Sequence, residues 1–318
     1  MNTDCCNTSD RGVVSPPLSD WRDDLADRVS ALTSLRRDEP LAARTTMRVG
    51  GPADMFVEPA SEADLGAVLK FCAERRLPWF VLGRGSNLLI RDGGMRGVVL
   101  CLGHPGFARI TVEGSLLRCG AGARLKHVVH EARRQGLSGL EFMEGIPGSV
   151  GGALRMNAGA MGSQTFEVVE SVRLMGADGV ARNLPGRDIP VRYRECPLLR
   201  KEIALGAVFR ATPAEQPGIE ARMKSFSRKR WGSQPAAPSA GCIFKNPDLI
   251  PAGRLIDELG LKGTSVGGAR VSLEHGNFIV NDGNATARDV LELIELLRMR
   301  ARDARGVELE TEVQIVGE

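Results

Sequence analysis

The sequence predicts an α+β fold, because short strand candidates occur in clusters and helices lie between the clusters rather than after every strand. The strand candidates are 79–82, 87–91, 97–102, 108–112, 116–119, 168–175, 205–211, 277–281 and 307–316. Apolar residues make up 42% and charged residues 25% of the 318 positions, which is ordinary globular usage. The composition therefore excludes a disordered or fibrous chain.

Four helices are predicted from apolar residues that recur on one face. The first covers 61–76 with Ser61 as its N-cap, and the second covers 123–135. The third covers 252–259, and the fourth covers 287–305. Glycines follow the last three, as expected where a helix ends in the left-handed conformation.

A Pro- and Gly-containing run at 213–218 is interpreted as a linker. It separates residues 40–212 from a predicted C-terminal domain at 219–318. Residues 1–20 have prolines and acidic residues but no apolar stretch, so they predict a disordered tail rather than a signal peptide.

The charge balance and the cysteines exclude several classes of function. The net charge is +3 and no basic run is interleaved with aromatic residues, so nucleic acid is not expected as a partner. No uncharged apolar run is long enough to cross a membrane. Seven irregularly spaced cysteines indicate free thiols in a reducing cytoplasm. His127 and His130 are interpreted as an exposed helix face, so no metal site is predicted.

Glycine is concentrated in one part of the chain. Of the 38 glycines, 18 lie between Gly83 and Gly162. Aromatic residues are only 4%, with Tyr193 the single tyrosine, which argues against a binding surface of stacked aromatic rings. Such a segment either makes many tight turns or allows close approach to its backbone.

Two loops in this region are candidate binding sites. The first, LGRGSNLLI at 82–90, is either a hairpin turn or a backbone nest for an anion. It is not a Rossmann fingerprint, because Leu88 replaces the third glycine and a strand follows. The second, GIPGSVGGA at 145–153 with NAGA at 157–160, is either an elaborate loop or a backbone placed against a flat or anionic ligand. The residues alone leave these alternatives open.

Together the two loops and five further motifs resemble the UDP-N-acetylenolpyruvoylglucosamine reductase family. The motifs are VGGPAD at 49–54, LGRGSNLLI at 82–90, GLEFMEGIPGSVGGALRMNAGAMG at 139–162, YREC at 193–196, SAGCIFKNP at 239–247, GLKG at 260–263 and EHGNFIVN at 274–281. The resemblance covers roughly 40–316 and fits the family's compact second type, which lacks a tyrosine-bearing loop.

The resemblance implies an FAD-binding domain of the vanillyl-alcohol oxidase or PCMH type at 40–212, with subdomains at about 40–102 and 103–212. A C-terminal α+β domain at 219–318 would bind the UDP-sugar. The implied FAD contacts are Gly83, Arg84, Gly85, Ser86, Asn87, Leu88, Gly145, Ile146, Pro147, Gly148, Ser149, Gly151, Gly152, Asn157, Ala158 and Gly159.

The resemblance also implies the reaction and its catalytic residues. NADPH would reduce FAD, and a hydride and a proton would then add to the double bond of UDP-N-acetylglucosamine enolpyruvate, a step of peptidoglycan precursor synthesis. Arg194 would hold the substrate carboxylate, and Cys242 would donate the proton from a thiol with a pKa near 8.5. Glu312 matches the family's C-terminal glutamate, although nothing local separates it from Glu308 and Glu310. Residues 307–316 alternate as a strand, whose glutamate face the pattern alone predicts to be solvated.

Four residues are weaker expectations for the UDP-sugar or nicotinamide site, namely Tyr193, Lys245, Asn246 and His275. Met161 and Arg155 depart from the family pattern and leave local contacts open. Two other interpretations also remain: another FAD-dependent oxidase or dehydrogenase of the same superfamily, and a non-catalytic flavin-binding protein. Neither explains why Arg194, Cys242 and Glu312 occur together in family order.

Overall fold

The computed structural model describes residues 20–318, so the predicted disordered tail at 1–20 lies outside the described residues apart from Asp20. The helices are α1 (Trp21–Ala26), α2 (Glu62–Arg75), α3 (Leu125–Arg134), α4 (Val150–Arg155), α5 (Gln216–Trp231), α6 (Ala252–Glu258) and α7 (Ala287–Arg305). The strands are β1 (Ser34–Pro40), β2 (Pro52–Glu58), β3 (Trp79–Val81), β4 (Leu88–Ile90), β5 (Met95–Leu100), β6 (Ile110–Glu113), β7 (Leu116–Gly120), β8 (Leu137–Ser138), β9 (Gly159–Ala160), β10 (Ser163–Gln164), β11 (Val169–Met175), β12 (Ala181–Pro185), β13 (Ile203–Arg210), β14 (Thr212–Pro213), β15 (Ser239–Cys242), β16 (Ser265–Val266), β17 (Ala269–Val271), β18 (Phe278–Asn281) and β19 (Gln314–Val316).

The first sheet has the strand order β1-β2-β5-β3. Strand β5 runs parallel to both β2 and β3, and β1 is antiparallel to β2. Helix α2 begins at the predicted N-cap Ser61, whose side chain accepts a hydrogen bond from the backbone N–H of Asp64. The apolar face of α2, including Leu65 and Val68, packs with β2 and β5 in one buried cluster. The predicted helix at 61–76 is thus confirmed.

The second sheet is antiparallel throughout, in the order β12-β11-β13-β7-β6. Helices α3 and α4 cover this sheet and share its core, in which Phe209, Leu125 and Leu154 are fully buried. The predicted helix at 123–135 is confirmed as α3, and Gly136 follows it with φ +65°.

The third sheet, β15-β18-β17-β16, packs with α6 and α7. Its core also includes Met47, Val49 and Leu89 from the N-terminal part of the chain. Strand β19 then leaves this unit and pairs in parallel with β4, next to the first glycine loop. The C-terminal sheet is therefore joined to the remainder of the molecule by shared core residues and by strand pairing. No helix among residues 20–318 is long and apolar enough to cross a membrane.

The prediction of a linker at 213–218 is wrong. Thr212–Pro213 form a short strand with β8, and α5 begins at Gln216 with Pro217 in its first turn. Proline suits that position, because the first N–H groups of a helix have no intrahelical partner. Ile219 and Met223 pack into the core of the second sheet. The segment after 218 therefore continues to pack against the second sheet before the third sheet begins.

The strand predicted at 307–316 is only partly present. Leu309 and Val313 are buried as the alternation predicts, but regular pairing is confined to β19. Before β19 the chain makes a single bridge between Thr311 and Phe244. The segment thus changes partner, from the end of β15 to β4, within a few residues.

Candidate active site

The two glycine loops, one at 82–88 and one at 145–153, lie against each other. A Cβ atom added at Gly83 would be 3.2 Å from Ser149 Oγ. Gly85 has φ +59°, and a Cβ there would lie 2.5 Å from the carbonyl oxygen of Arg44. Side chains at these positions would push the loops apart or strain the backbone. The glycines therefore allow the two loops to approach closely, and the narrow seam between them is lined by backbone.

Asn87 joins the first loop to the strand that carries Glu312. Its side-chain amide donates to the carbonyl oxygen of Glu312 at 3.1 Å, and its own carbonyl accepts from the backbone N–H of Gln314 at 3.0 Å. Thr46 makes a second link, since its hydroxyl donates to the carbonyl of Ser239 at 2.7 Å while its N–H donates to that of Gly85. Both C-terminal segments of the site are thereby fixed to the first loop.

Arg194 lies at the tip of a tight turn. Arg192 and Glu195 exchange backbone hydrogen bonds, and Arg194 itself has φ +58°. A non-glycine residue in this conformation costs free energy and is held there by its surroundings. Asn157 supplies part of that support, because its buried side chain donates to the carbonyl oxygen of Arg192 at 3.2 Å.

The guanidinium of Arg194 is oriented by two acceptors. Its Nε donates to Glu312 Oε1 at 3.0 Å, and its Nη2 donates to the carbonyl oxygen of Gly159 at 3.2 Å. A Cβ at Gly159 would lie 3.1 Å from Arg194 Nη1, so glycine leaves room for the guanidinium. Arg194 also stacks over the ring of Tyr193, 4.7 Å from its centroid. Tyr193 is itself 53% exposed.

Glu312 is buried beside Arg194 rather than solvated. Its backbone N–H donates to the carbonyl of Ile243 at 2.8 Å, and its side chain is only 16% exposed. Burial raises the pKa of Glu312, and the positive charge of Arg194 opposes part of that shift. The solvated face expected from the alternating pattern is therefore wrong at this residue.

Cys242 ends β15 and faces this pair. Burial raises its pKa to about 12, the Glu312 carboxylate adds to the shift, and Arg194 and Arg230 oppose it. The pKa of this thiol is therefore higher than the ordinary value expected from the sequence, so the thiol loses its proton less readily. A Cβ added at the preceding Gly241, which has φ +77°, would lie 3.8 Å from the carbonyl oxygen of Ser86. The backbone directly before Cys242 thus lies next to the first glycine loop.

Arg230 is a site residue that the sequence did not indicate. It lies near the end of α5, and one Nη donates to the carbonyl oxygen of Gly145 in the second loop. Burial lowers its pKa, and the nearby Cys242 thiol opposes this shift. Recognition of α5 as a helix would have been the signal for Arg230, but the sequence pattern predicts a linker at 213–218 and the start of a domain at 219.

Of the four weaker expectations, Tyr193 stacks on Arg194 and the other three have partners of their own. Lys245 Nζ pairs with Glu310 at 2.5 Å, and its charge also opposes the rise in the pKa of Glu312. Asn246 Oδ1 accepts from the N–H of Ala252 at the start of α6. His275 packs edge-on against Phe278, and burial lowers its pKa.

The two departures from the family pattern differ in position. Met161 has φ +54° and forms the β9–β10 turn with Gly162, where it is 39% exposed. Arg155 ends α4, and burial together with the charge of Arg200 lowers its pKa. Met161 is therefore a surface turn residue, whereas Arg155 is partly enclosed.

The seam has the chemistry that FAD requires. The backbone N–H groups at 83–86 have no acceptor among residues 20–318 and can donate to a diphosphate, whereas Gly148, Gly151 and Gly152 already donate within the protein. The second loop at 145–153 is uncharged, which suits contact with a flat ring system. Neither Arg84 nor Arg124, at the edge of the seam, forms an ion pair among residues 20–318. The residues present thus fit a dinucleotide with two phosphates.

Comparison with known proteins agrees with this geometry. Residues 53–184 match the FAD binding domain family, and residues 234–316 match the family of the UDP-N-acetylenolpyruvoylglucosamine reductase C-terminal domain. UDP-N-acetylenolpyruvoylglucosamine reductase 2 of Symbiobacterium thermophilum is 45% identical over 285 residues, which is 89% of this chain and 92% of that protein.

This chain belongs to the UDP-N-acetylenolpyruvoylglucosamine reductase family. The reductase of Pelobacter propionicus is 46% identical over 89% of this chain and 96% of its own length. The crystal structure of the reductase from Thermus caldophilus superposes with a TM-score of 0.77 at 38% identity, covering 89% of this chain and 98% of that one. The predicted fold class, an FAD-binding α+β domain followed by a C-terminal α+β domain, is confirmed, and FAD is the cofactor of this reductase.

Proposed function

We propose that this reductase converts UDP-N-acetylglucosamine enolpyruvate to UDP-N-acetylmuramate with NADPH, for peptidoglycan precursor synthesis. The observation that carries the proposal is the convergence of Arg194, Glu312 and Cys242 on the first glycine loop, from three separate segments of the chain. We place the reaction in the cytoplasm, where NADPH is the reductant and free thiols such as Cys242 persist.

The glycine loops would hold FAD, which would supply the hydride chemistry between NADPH and the enolpyruvyl double bond. The protein has to supply the proton for the neighbouring carbon and to stabilise the negative charge that builds up beside the substrate carboxylate.

Cys242 is proposed as the proton donor. Its raised pKa keeps the thiol protonated across the physiological pH range, so a proton is available for transfer at each turnover. Arg194 and Arg230 stabilise the thiolate that remains after the transfer, since both favour the negative form electrostatically. The thiolate then regains a proton from solvent.

Arg194 is proposed to hold the substrate carboxylate. Glu312 and Gly159 fix its Nε and Nη2, which leaves the Nη1 edge free to donate within the described site. A guanidinium stays charged at all working pH values, so it stabilises the enolate-like charge throughout. Glu312 is proposed to act on the reaction by orienting Arg194 and by setting the charge around Cys242.

The remaining contacts are proposals from the same resemblance. The glycine loops at 83–88 and 145–152, with 157–159, would contact FAD. Tyr193, Lys245, Asn246 and His275 would line the UDP-sugar or nicotinamide site, of which Tyr193 lies closest to Arg194. The division into an FAD-binding part at 40–212 and a substrate-binding part at 219–318 is also a proposal. The packing of α5 on the second sheet favours a start after Trp231.

The test follows the two half-reactions of the purified yellow protein. NADPH should bleach the flavin absorbance, and UDP-N-acetylglucosamine enolpyruvate should restore it in the absence of oxygen. UDP-N-acetylglucosamine, which lacks the enolpyruvyl group, is the matched control and should leave the flavin bleached. A flavin that NADPH bleaches but the enolpyruvyl substrate never restores would contradict the proposed function and would favour another flavin dehydrogenase.

A further inference from the structure

Arg84 and Arg124 are exposed residues that lie near each other at the edge of the seam between the two glycine loops. Arg84 follows Gly83, whose Cβ position is 3.2 Å from Ser149 Oγ. Ser149 in turn forms an isolated antiparallel bridge with Arg124. The two arginines are therefore brought together through Ser149, although 40 residues separate them in the chain.

Neither guanidinium has an acidic partner within residues 20–318. Arg118 and Arg133, which flank Arg124 in the chain, each pair with a glutamate, at 3.2 Å and 3.3 Å. Two like charges near each other raise the energy of the folded protein unless an anion lies between them. The pair thus forms a positive site that the protein itself does not neutralise.

The electrostatics of Arg84 agree with this arrangement. Burial lowers the pKa of Arg84, and the positive charge of Arg124 lowers it further. Arg124 occupies the N-cap position of α3, where its side chain caps no backbone N–H group. The first turn of α3 also has no acidic residue, so the field of the helix N-terminus adds to the positive potential.

We propose that Arg84 and Arg124 together bind the pyrophosphate of FAD, with Arg124 a phosphate-binding residue additional to the glycine loops. Arginine forms paired, charge-assisted hydrogen bonds to phosphate oxygens, and two of them match the two phosphates of the dinucleotide. The proposal rests on FAD being the cofactor of the proposed reaction. The proposal does not depend on the identity of the substrate that the enzyme reduces.

The test measures FAD dissociation from the holoenzyme. Each protein is diluted, and the released flavin is followed by its fluorescence, without NADPH or substrate present. Arg124→Gln and Arg84→Gln should each weaken FAD binding by about tenfold, the effect of losing one charge-assisted contact. Lys126→Gln is the matched control, because it removes an exposed positive charge two residues from Arg124 and should leave the dissociation constant unchanged.

Two further measurements separate a phosphate contact from a loss of structure. Arg124→Lys should recover most of the affinity, and added salt should weaken FAD binding less in Arg124→Gln than in the unmodified protein. Unchanged FAD dissociation in Arg124→Gln, or equal weakening in Lys126→Gln, would overturn the proposal. A variant that keeps FAD but has a raised KM for the UDP-sugar alone would also overturn it, and would assign the pair to the substrate diphosphate.

The outcome is independent of the proposed reaction. If the unmodified protein holds FAD and the variants lose it, the pyrophosphate assignment stands even where the enolpyruvyl substrate is not reduced. If the substrate is reduced and the variants keep FAD, the assignment fails and the proposed function stands.

Discussion

The side-chain amide of Asn87 donates to the backbone carbonyl of Glu312 across 3.1 Å, and this contact joins the first glycine loop to the glutamate strand. The same loop residue accepts from the N–H of Gln314, so Asn87 holds the strand on both sides of Val313. Glu312 in turn orients Arg194. The position of the guanidinium therefore depends on a residue of the first glycine loop.

Replacing Asn87 should impair the substrate half-reaction more than flavin reduction. Asn87→Ala removes one hydrogen bond worth about 1 kcal/mol, so the restoration of flavin absorbance by substrate should slow by about fivefold to tenfold. Stopped-flow absorbance measures both half-reactions. Asn183→Ala, at an exposed position of β12, is the control and should leave both rates unchanged. Equal slowing of both half-reactions in Asn87→Ala would contradict this coupling.

Cys242 variants test the proton donor. Cys242→Ser retains a donor and should keep measurable turnover, whereas Cys242→Ala should slow the substrate half-reaction by about 10²-fold or more. NADPH should still reduce the flavin in both variants, because the hydride step to the flavin needs no proton from this thiol. Normal overall turnover in Cys242→Ala would remove Cys242 from the mechanism. Cys72→Ala, which removes a buried thiol of α2, provides the comparison for loss of a cysteine alone.

The raised pKa of Cys242 predicts its reactivity. A thiol with a pKa of about 12 is protonated at pH 8, so alkylation by iodoacetamide should be slow there. Because the folded protein raises the pKa, the thiolate should form only as pH approaches that value, and unfolding should release a readily alkylated cysteine. Mass spectrometry of the labelled peptide measures the rate at Cys242. Rapid labelling of the folded protein at pH 8 would show that the thiol is not held in its neutral form.

Gly159→Ala tests the space that Arg194 needs. The added methyl group would lie 2.7 Å from the carbonyl oxygen of Ser163 and 3.1 Å from Arg194 Nη1, so the guanidinium must move. Because the displaced guanidinium would hold the substrate carboxylate less well, KM for the enolpyruvyl substrate should rise by about tenfold. Gly218→Ala is the matched control, because its Cβ would have only one distant neighbour at the start of α5. An unchanged KM in Gly159→Ala would show that this spacing does not set the position of Arg194.

Asp92 connects the two parts of the chain through a helix cap. Its two carboxylate oxygens accept from the N–H groups of Ala287 and Arg288 at the start of α7. Asp92→Ala should lower the free energy of unfolding by about 1 kcal/mol, measured by urea denaturation. Glu292→Ala, an exposed acidic residue within α7, should change it by less than about 0.5 kcal/mol.

Local pattern was sufficient for much of the fold. Helices α2, α3, α6 and α7 begin and end close to the predicted residues, because their apolar faces and caps are encoded within the segment itself. Helix α5 escaped prediction because it buries only Ile219 and Met223 and starts with Pro217 and Gly218. Packing of Ile219 and Met223 against the second sheet stabilises this helix, and the local sequence pattern carries no information about that surface.

The site divides in the same way. Glycine content, the ordered motifs and the family resemblance were present in the sequence, and they identified the FAD-binding domain family and pointed to the three residues proposed here as catalytic. The alternating residues Glu308, Glu310 and Glu312 are equivalent in sequence, and only the change of strand partner places the last of them, half-buried, against Arg194. The same holds for the Cys242 thiol, whose pKa rises because the fold removes it from water. The sequence thus determined which chemical groups are available, while tertiary packing decided which are buried and next to each other, because burial and charge proximity depend on segments far apart in the chain.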